Sequence, residues 1–116
     1  MGFTRRESSG ISVINASARL TGVERPGELK ALVSTRLAAG DRKIVLNLSQ
    51  VAFADSAFIG ELMSCYLSVA RAGGVLKLAS PVRRVQDLLL MTRLTTVIES
   101  FDKEGDALES FTTPAN

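Results

Sequence analysis

The spacing of apolar residues changes several times along the chain, and each change predicts a different secondary-structure element. Phe3–Ser8 and Ile11–Leu20 are predicted strands, joined as a hairpin through the turn residues Ser9-Gly10. A helix is predicted next, with Pro26 in its first turn and Gly40 at its C-terminal end. Its apolar positions recur at helical spacing: Leu29, Leu32, Val33 and Leu37.

The middle of the chain predicts a buried strand followed by an amphipathic helix. Ile44–Leu48 is almost continuously apolar, which is typical of a strand covered on both faces and favours a central place in the sheet. The helix is predicted over Ala57–Ala72 and is ended by Gly73-Gly74. One face of it carries most of the apolar residues: Ile59, Leu62, Met63, Tyr66, Val69 and Ala70.

The last third of the chain predicts two strands and two helices. Val75–Ala79 is a predicted strand, after which Ser80 and Pro81 are the expected N-cap and first residue of a helix. This helix carries its apolar residues at Val82, Val85, Leu88 and Leu89. A short edge strand is expected within Thr96–Phe101. A final helix, about Lys103–Phe111, is expected to dock through Ala107, Leu108 and Phe111, with residues 112–116 as a frayed tail.

Strands and helices therefore alternate, which favours right-handed crossovers and a parallel sheet. We expect an α/β fold with a mixed, mostly parallel sheet of four to five strands, an antiparallel N-terminal hairpin and about four helices. The 116 residues suffice for one domain spanning 1–116, with its core over about residues 3–111.

Composition removes several classes of function. The net charge is only +2, the charges are dispersed, and the chain has one Tyr and no Trp, so we expect no nucleic-acid partner. Without His there is no Ser-His-Asp or Cys-His catalysis and no histidine metal site, and we expect no enzyme activity, metal or cofactor. A single cysteine, Cys65, and an N-terminus without an apolar signal segment favour a cytoplasmic protein without a membrane partner.

Asp55-Ser56 places a hydroxyl where a strand gives way to a helix. A helix N-terminus has free backbone N–H groups and partial positive charge, so an added phosphate is tolerated there and Ser56 is a candidate switch residue. The alternative is that Ser56 is a plain helix N-cap. Asp55 has three interpretations: an N-cap, an acidic residue that faces a kinase, or a phosphate acceptor, although the acidic pair that would hold magnesium is absent.

The segment from Asn47 to Gly60 resembles the STAS-domain family, whose single-domain bacterial members are anti-sigma factor antagonists, also called anti-anti-sigma factors. Phe53, Asp55, Ser56 and Gly60 stand at the matching positions of a Phe-x-Asp-Ser-Ser-Gly-x-Gly-like turn. Met91-Thr92-Arg93-Leu94, Val97-Ile98 and the terminal amphipathic segment resemble the C-terminal half of the family.

The resemblance implies partner switching. In such proteins the unphosphorylated form binds an anti-sigma factor that is also an ATP-dependent serine kinase, and so releases a sigma factor. Phosphorylation, here at Ser56, blocks binding until a metal-dependent serine phosphatase removes the phosphate. By position, the resemblance assigns partner binding to five residues: Asp55, Ala57, Phe58, Gly60 and Thr21.

The sequence departs from the family pattern at two places. Ala57 and Phe58 replace the second serine and the glycine after it, and the turn after the second strand, with Thr21, differs from the usual Gly-x-Leu-Asp-like form. A STAS scaffold without phosphoregulation therefore remains an alternative, and a small-ligand binder is a third hypothesis. The seam of Phe58, Leu62, Cys65 and Val69 is either core or a partner surface. Arg83 and Arg84 are read as a solvated face, with anion or partner binding as the alternative; we expect a monomer or weak homodimer.

Overall fold

The computed structural model describes residues 3–20 and 27–112, apart from the side chains of residues 17–20. These residues form a single α/β domain with a five-stranded sheet in the order β1-β2-β3-β4-β5. The elements are β1 (Phe3–Ser8), β2 (Ile11–Leu20), α1 (Glu28–Ala38), β3 (Lys43–Ala54), α2 (Ser56–Arg71), β4 (Val75–Ala79), α3 (Arg83–Met91), a 3₁₀ turn (Leu94–Thr96), β5 (Ser100–Phe101) and α4 (Glu104–Thr112).

The sheet topology confirms the predicted fold class. The β1–β2 hairpin is antiparallel, whereas β2, β3, β4 and β5 run parallel to their neighbours, with β3 in the centre. The turn between β1 and β2 places Ser9 and Gly10 at φ 52° and 81°. Left-handed backbone of this kind suits glycine, as the sequence indicated.

The helices cover the two faces of the sheet unequally. On one face, α1, α2 and α3 bury the larger core cluster, to which β2, β3 and β4 contribute alternate residues such as Ile14, Leu46 and Leu78. The other face is covered by α4, whose Ala107 packs over a second cluster that includes Val45. Leu108 and Phe111 pack against that second cluster, as expected from the sequence.

β3 is longer than the apolar run predicted. It continues beyond Leu48 to Ala54, while its pairing with β4 ends at Asn47. Beyond that point β3 pairs with β2 alone, at Gln50, Val51, Phe53 and Ala54. The register shifts where Asn47 Oδ1 accepts a hydrogen bond from the Ser49 N–H at 2.8 Å. A bulge of this kind lets a strand continue through exposed polar residues, and it carries the chain past the end of β4 to the start of α2.

The predicted start of α3 was wrong, whereas the short edge strand β5 lies within the segment where it was expected. Val82 is the N-cap of α3, and Ser80 has φ 56° and donates its backbone N–H to the Phe101 carbonyl at 2.7 Å. Ser80 therefore extends the sheet pairing instead of capping a helix. β5 comprises only Ser100–Phe101 of the expected segment Thr96–Phe101, whose first residue ends the 3₁₀ turn Leu94–Thr96.

The C-terminal helix is held to the sheet by polar contacts that the sequence did not suggest. Lys77, on β4, is only 7% exposed, and its Nζ donates a hydrogen bond to Ser110 Oγ at 2.6 Å. The same Nζ lies 3.2 Å from Glu99 Oε1 and 4.4 Å from the centroid of the Phe111 ring. A buried ammonium needs such partners to offset lost hydration. α4 extends to Thr112, one residue into the expected tail, and residues 113–116 lie outside the described range.

Candidate functional site

The N-terminus of α2 is capped by Asp55. Asp55 has extended backbone angles, φ −111° and ψ 176°, and its Oδ1 accepts a hydrogen bond from the Phe58 N–H at 2.9 Å. Its backbone carbonyl accepts the first intrahelical bond, from the Ile59 N–H at 3.1 Å. This is the geometry of an N-cap, which satisfies one of the free N–H groups of the first turn. Of the interpretations open for Asp55, the N-cap is therefore the one its geometry shows.

Ser56 is the first residue of α2 and not its cap. Its side chain is exposed and forms no hydrogen bond within the part of the chain that the structure describes. The alternative explanation of Ser56 as a plain N-cap is thus wrong, because Asp55 fills that position. The hydroxyl is left accessible, in the positive field of the helix N-terminus.

The first turn of α2 separates exposed from buried residues. Ala57 and Gly60 are exposed beside Ser56, and a Cβ added at Gly60 would meet nothing within 4 Å. Phe58 is 5% exposed and Ile59 8% exposed, and both belong to the larger core cluster. Among the residues assigned to partner binding, Asp55, Ala57 and Gly60 therefore surround Ser56, whereas the ring of Phe58 faces the protein interior.

The apolar seam along α2 is core. Leu62, Cys65 and Val69 are fully buried with Phe58, so of the two interpretations of this seam the structure shows packing and not an exposed surface. Burial, with a smaller contribution from Glu61, raises the pKa of the Cys65 thiol to about 12. Such a thiol is protonated and unreactive at neutral pH.

Glu61 fixes α1 beside the candidate site, which the sequence analysis missed. Its Oε1 accepts the Gly27 N–H and its Oε2 accepts the Lys30 N–H, both at 3.0 Å. A carboxylate from α2 therefore caps the N-terminus of α1, where charge and free N–H groups favour an anion. In sequence Glu61 belongs to the polar face of a helix, and nothing local indicates this distant role.

The end of β2 lies next to the end of β3, because Leu20 pairs with Ala54. Thr21, which the resemblance assigned to partner binding, follows Leu20 but lies outside the described residues. The carboxyl ends of these two parallel strands thus lie side by side at one edge of the sheet, where binding sites are common in parallel α/β folds.

An open groove of about 520 Å³ lies between the end of β3 and α3. Phe53 and Ala54 line it on the strand side, and Arg83, Arg84 and Met91 are among its lining residues on α3. Ala54 directly precedes the Asp55 cap, so the groove adjoins the N-terminus of α2. The solvated face expected at Arg83 and Arg84 is therefore one wall of a groove.

Neither a metal centre nor a membrane-spanning helix is found among the described residues. They contain no group of three or more His, Cys, Asp or Glu side chains placed to hold a metal ion. No helix in residues 3–20 and 27–112 is long and apolar enough to cross a bilayer.

Comparison with known proteins decides the family. The family model of the STAS domain matches residues 3–107, which is nearly the whole chain. The chain belongs to the STAS domain family. The topology agrees, since a crystal structure of a candidate anti-sigma factor antagonist from Thermotoga maritima superposes with a TM-score of 0.89 at 26% identity. That alignment covers 96% of this STAS chain and 95% of the other.

Two further relatives refine the comparison. A candidate anti-sigma factor antagonist homologue from Thermotoga neapolitana is 37% identical over 70 residues, covering 60% of this chain and 62% of the relative's length. The Bacillus cell fate determinant SpoIIAA, solved in its phosphorylated form, has a TM-score of 0.72 at 18% identity, with coverage of 95% and 99%. At that identity the second likeness shows the shared fold alone.

Proposed function

We propose that this STAS protein is an anti-sigma factor antagonist that works by partner switching at Ser56. Its unphosphorylated form binds an anti-sigma factor that is also a serine kinase, and so frees a sigma factor. Phosphorylation of Ser56 abolishes that binding, and a metal-dependent serine phosphatase restores it. In this proposal the protein is a cytoplasmic binding module with no catalysis of its own, acting as a monomer or weak homodimer.

The observation that carries the proposal is that Asp55, and not Ser56, caps the N-terminus of α2. Asp55 supplies the cap to the Phe58 N–H, so the Ser56 hydroxyl is exposed and has no role in holding α2 together. A residue that the fold does not use can be modified without loss of the fold. The relatives named as candidate anti-sigma factor antagonists support the assignment of an antagonist.

The electrostatic consequence of phosphorylation follows from the same geometry. A phosphate on Ser56 adds roughly −1.5 to −2 charges at neutral pH, on the residue that follows the acidic Asp55 in the chain. The helix N-terminus offsets about 0.3–1 kcal/mol of that repulsion within the free protein. No such compensation exists for a partner surface fitted to a neutral hydroxyl. Phosphorylation therefore acts on the interface while leaving the domain folded.

The departures from the family pattern at Ala57 and Phe58 leave Ser56 accessible. Phe58 packs into the core, so its ring does not stand between a kinase and Ser56. Ala57 is exposed and small, and the surface around Gly60 is open. These observations favour a regulated antagonist over a scaffold that has lost phosphorylation.

The direct test is phosphorylation by the cognate anti-sigma factor kinase. Wild type, Ser56→Ala and Ser49→Ala are incubated with the kinase and ATP and compared by intact mass. Ser49 is a matched control because it is also exposed, on β3. We expect one phosphate on wild type and on Ser49→Ala and none on Ser56→Ala.

Binding to the same anti-sigma factor is measured in parallel by calorimetry. We expect Ser56→Ala to bind like wild type and Ser56→Asp to bind at least about tenfold more weakly, because the introduced carboxylate lies beside Asp55. If a kinase that is active on another substrate adds no phosphate to the wild-type protein, phosphorylation at Ser56 is refuted and the scaffold alternative remains. Equal binding of wild type and Ser56→Asp would refute the electrostatic mechanism.

A further inference from the structure

The outer face of α3 carries apolar side chains that nothing in the described chain covers. Met91 is 80% exposed and Leu90 54% exposed, although Val85 and Leu89 of the same helix are buried in the core. Met91 also lines the groove against Phe53 and Ala54. Exposed apolar groups beside a concave surface are typical of interaction sites, and methionine adapts well to varied partners.

The rim of this groove is basic. Arg83 is 91% exposed, and its only ion pair among the described residues is with Asp87, one turn along α3 at 3.6 Å. An exposed pair of this kind contributes little free energy, so Arg83 remains available to a partner. Arg84 is exposed and forms no hydrogen bond or ion pair with any described residue. Two arginines against one carboxylate leave this end of the groove positively charged.

The groove is continuous with the candidate switch. Phe53 and Ala54 form its strand-side wall, and the next two residues are Asp55 and Ser56. A protein bound over Ser56 would therefore extend naturally into the groove. The nine residues of α3 span about 13 Å, which matches two to three turns of a docked helix.

We propose that this groove docks an amphipathic segment of the anti-sigma factor whose apolar side chains contact Met91 and whose acidic side chains pair with Arg83 and Arg84. The inference rests on the proposed function, since it names the same partner, and it assigns a second contact region beyond Ser56. Charge complementarity selects an acidic segment, and the apolar wall requires that it be amphipathic.

The inference is tested by calorimetry with the purified anti-sigma factor and unphosphorylated protein. Met91→Gln and Arg84→Glu are the groove variants, and Leu67→Gln and Arg71→Glu on α2 are their matched controls. Leu67 is 43% exposed and Arg71 is exposed, and neither lines the groove. We expect each groove variant to bind about tenfold more weakly and each control to bind within about twofold of wild type. Thermal unfolding of each variant checks that the fold is retained.

The charge of the partner segment is tested separately with Asp87→Asn, which removes the carboxylate from the rim. An acidic segment predicts that this variant binds about twofold more tightly and that raising the salt concentration weakens wild-type binding. Weaker binding by Asp87→Asn, or tighter binding by Arg84→Glu, would overturn the assignment of an acidic segment.

The outcomes separate the two proposals. If wild type binds the anti-sigma factor and Ser56→Asp does not, but both groove variants bind like wild type, the docking groove is refuted while partner switching stands. If wild type does not bind at all, the proposed function fails, and the docking groove fails with it.

Discussion

Because Asp55 caps α2 and Ser56 does not, mutating the two residues should change the free energy of unfolding by different amounts. Asp55→Ala removes the 2.9 Å hydrogen bond to the Phe58 N–H and leaves that donor to water. Loss of an N-cap of this type costs about 1 kcal/mol of the free energy of unfolding, within a range of roughly 0.5–2 kcal/mol. For a domain of this size that corresponds to a decrease in Tm of about 4 °C.

Ser56→Ala is predicted to change the free energy of unfolding by less than about 0.5 kcal/mol, since the hydroxyl is exposed and unbonded among the described residues. Asp55→Asn is the matched control for Asp55→Ala, because asparagine keeps a side-chain acceptor at the cap. It loses only part of the favourable interaction between a carboxylate and the helix N-terminus. Asp55→Asn should therefore lie between wild type and Asp55→Ala.

The free energy of unfolding of wild type and the three variants is measured by urea unfolding, followed by circular dichroism. Their midpoints can be compared directly if their m values are equal. The reasoning is refuted if Ser56→Ala is destabilised as much as Asp55→Ala. That result would mean that the serine hydroxyl caps α2 in solution. It would also remove the argument that Ser56 is free to be modified without loss of the fold.

Three further predictions concern the core and the pH dependence. Leu62→Ala, at a fully buried position, should lower the free energy of unfolding by about 2–5 kcal/mol, measured by urea unfolding. Cys65, with a pKa near 12 and no exposure, should resist a thiol reagent in the native protein and react promptly in urea; fast native labelling would contradict its burial. The Arg36 guanidinium, and to a smaller extent Ser12, hold the pKa of Asp41 below its ordinary 3.8 against the opposing effect of burial. The stability that Asp41 contributes is therefore full above its ordinary pKa of 3.8 and is lost as pH falls through its lowered pKa. Asp41→Asn should be less stable than wild type at pH 7, and the difference should shrink as pH falls through that lowered pKa.

The sequence by itself determined the order of the elements and the fold class. These follow from local causes: alternating apolar residues at β2, a helical apolar stripe at α2, and glycines such as Gly73 where φ is positive. The position of Asp55-Ser56 at a helix start was also visible locally. Local signals could not decide which of the two residues caps the helix, since both types are good N-caps.

Tertiary structure decided what each side chain faces. Phe58 and Leu62 belong to a seam that periodicity alone left open between core and surface, and only the packing of α2 on the sheet buries it. Glu61 looks solvated in sequence but caps α1, and Lys77 looks like an ordinary strand residue but is enclosed under α4. These contacts join residues far apart in the chain, so no local pattern encodes them.

The groove beside Ser56 is also formed by tertiary contacts between residues far apart in the chain. Its walls come from the end of β3 and from α3, which meet because β3 continues to Ala54 through a bulge and α3 begins only at Arg83. Both boundaries depend on sheet pairing: β2 pairs with the extended end of β3, and β5 accepts the Ser80 N–H. The sequence thus determined that a hydroxyl stands at a helix N-terminus. Only the fold decided that this hydroxyl is exposed, unused by the cap and next to a basic, apolar groove, because burial and hydrogen-bond partners are set by non-local packing.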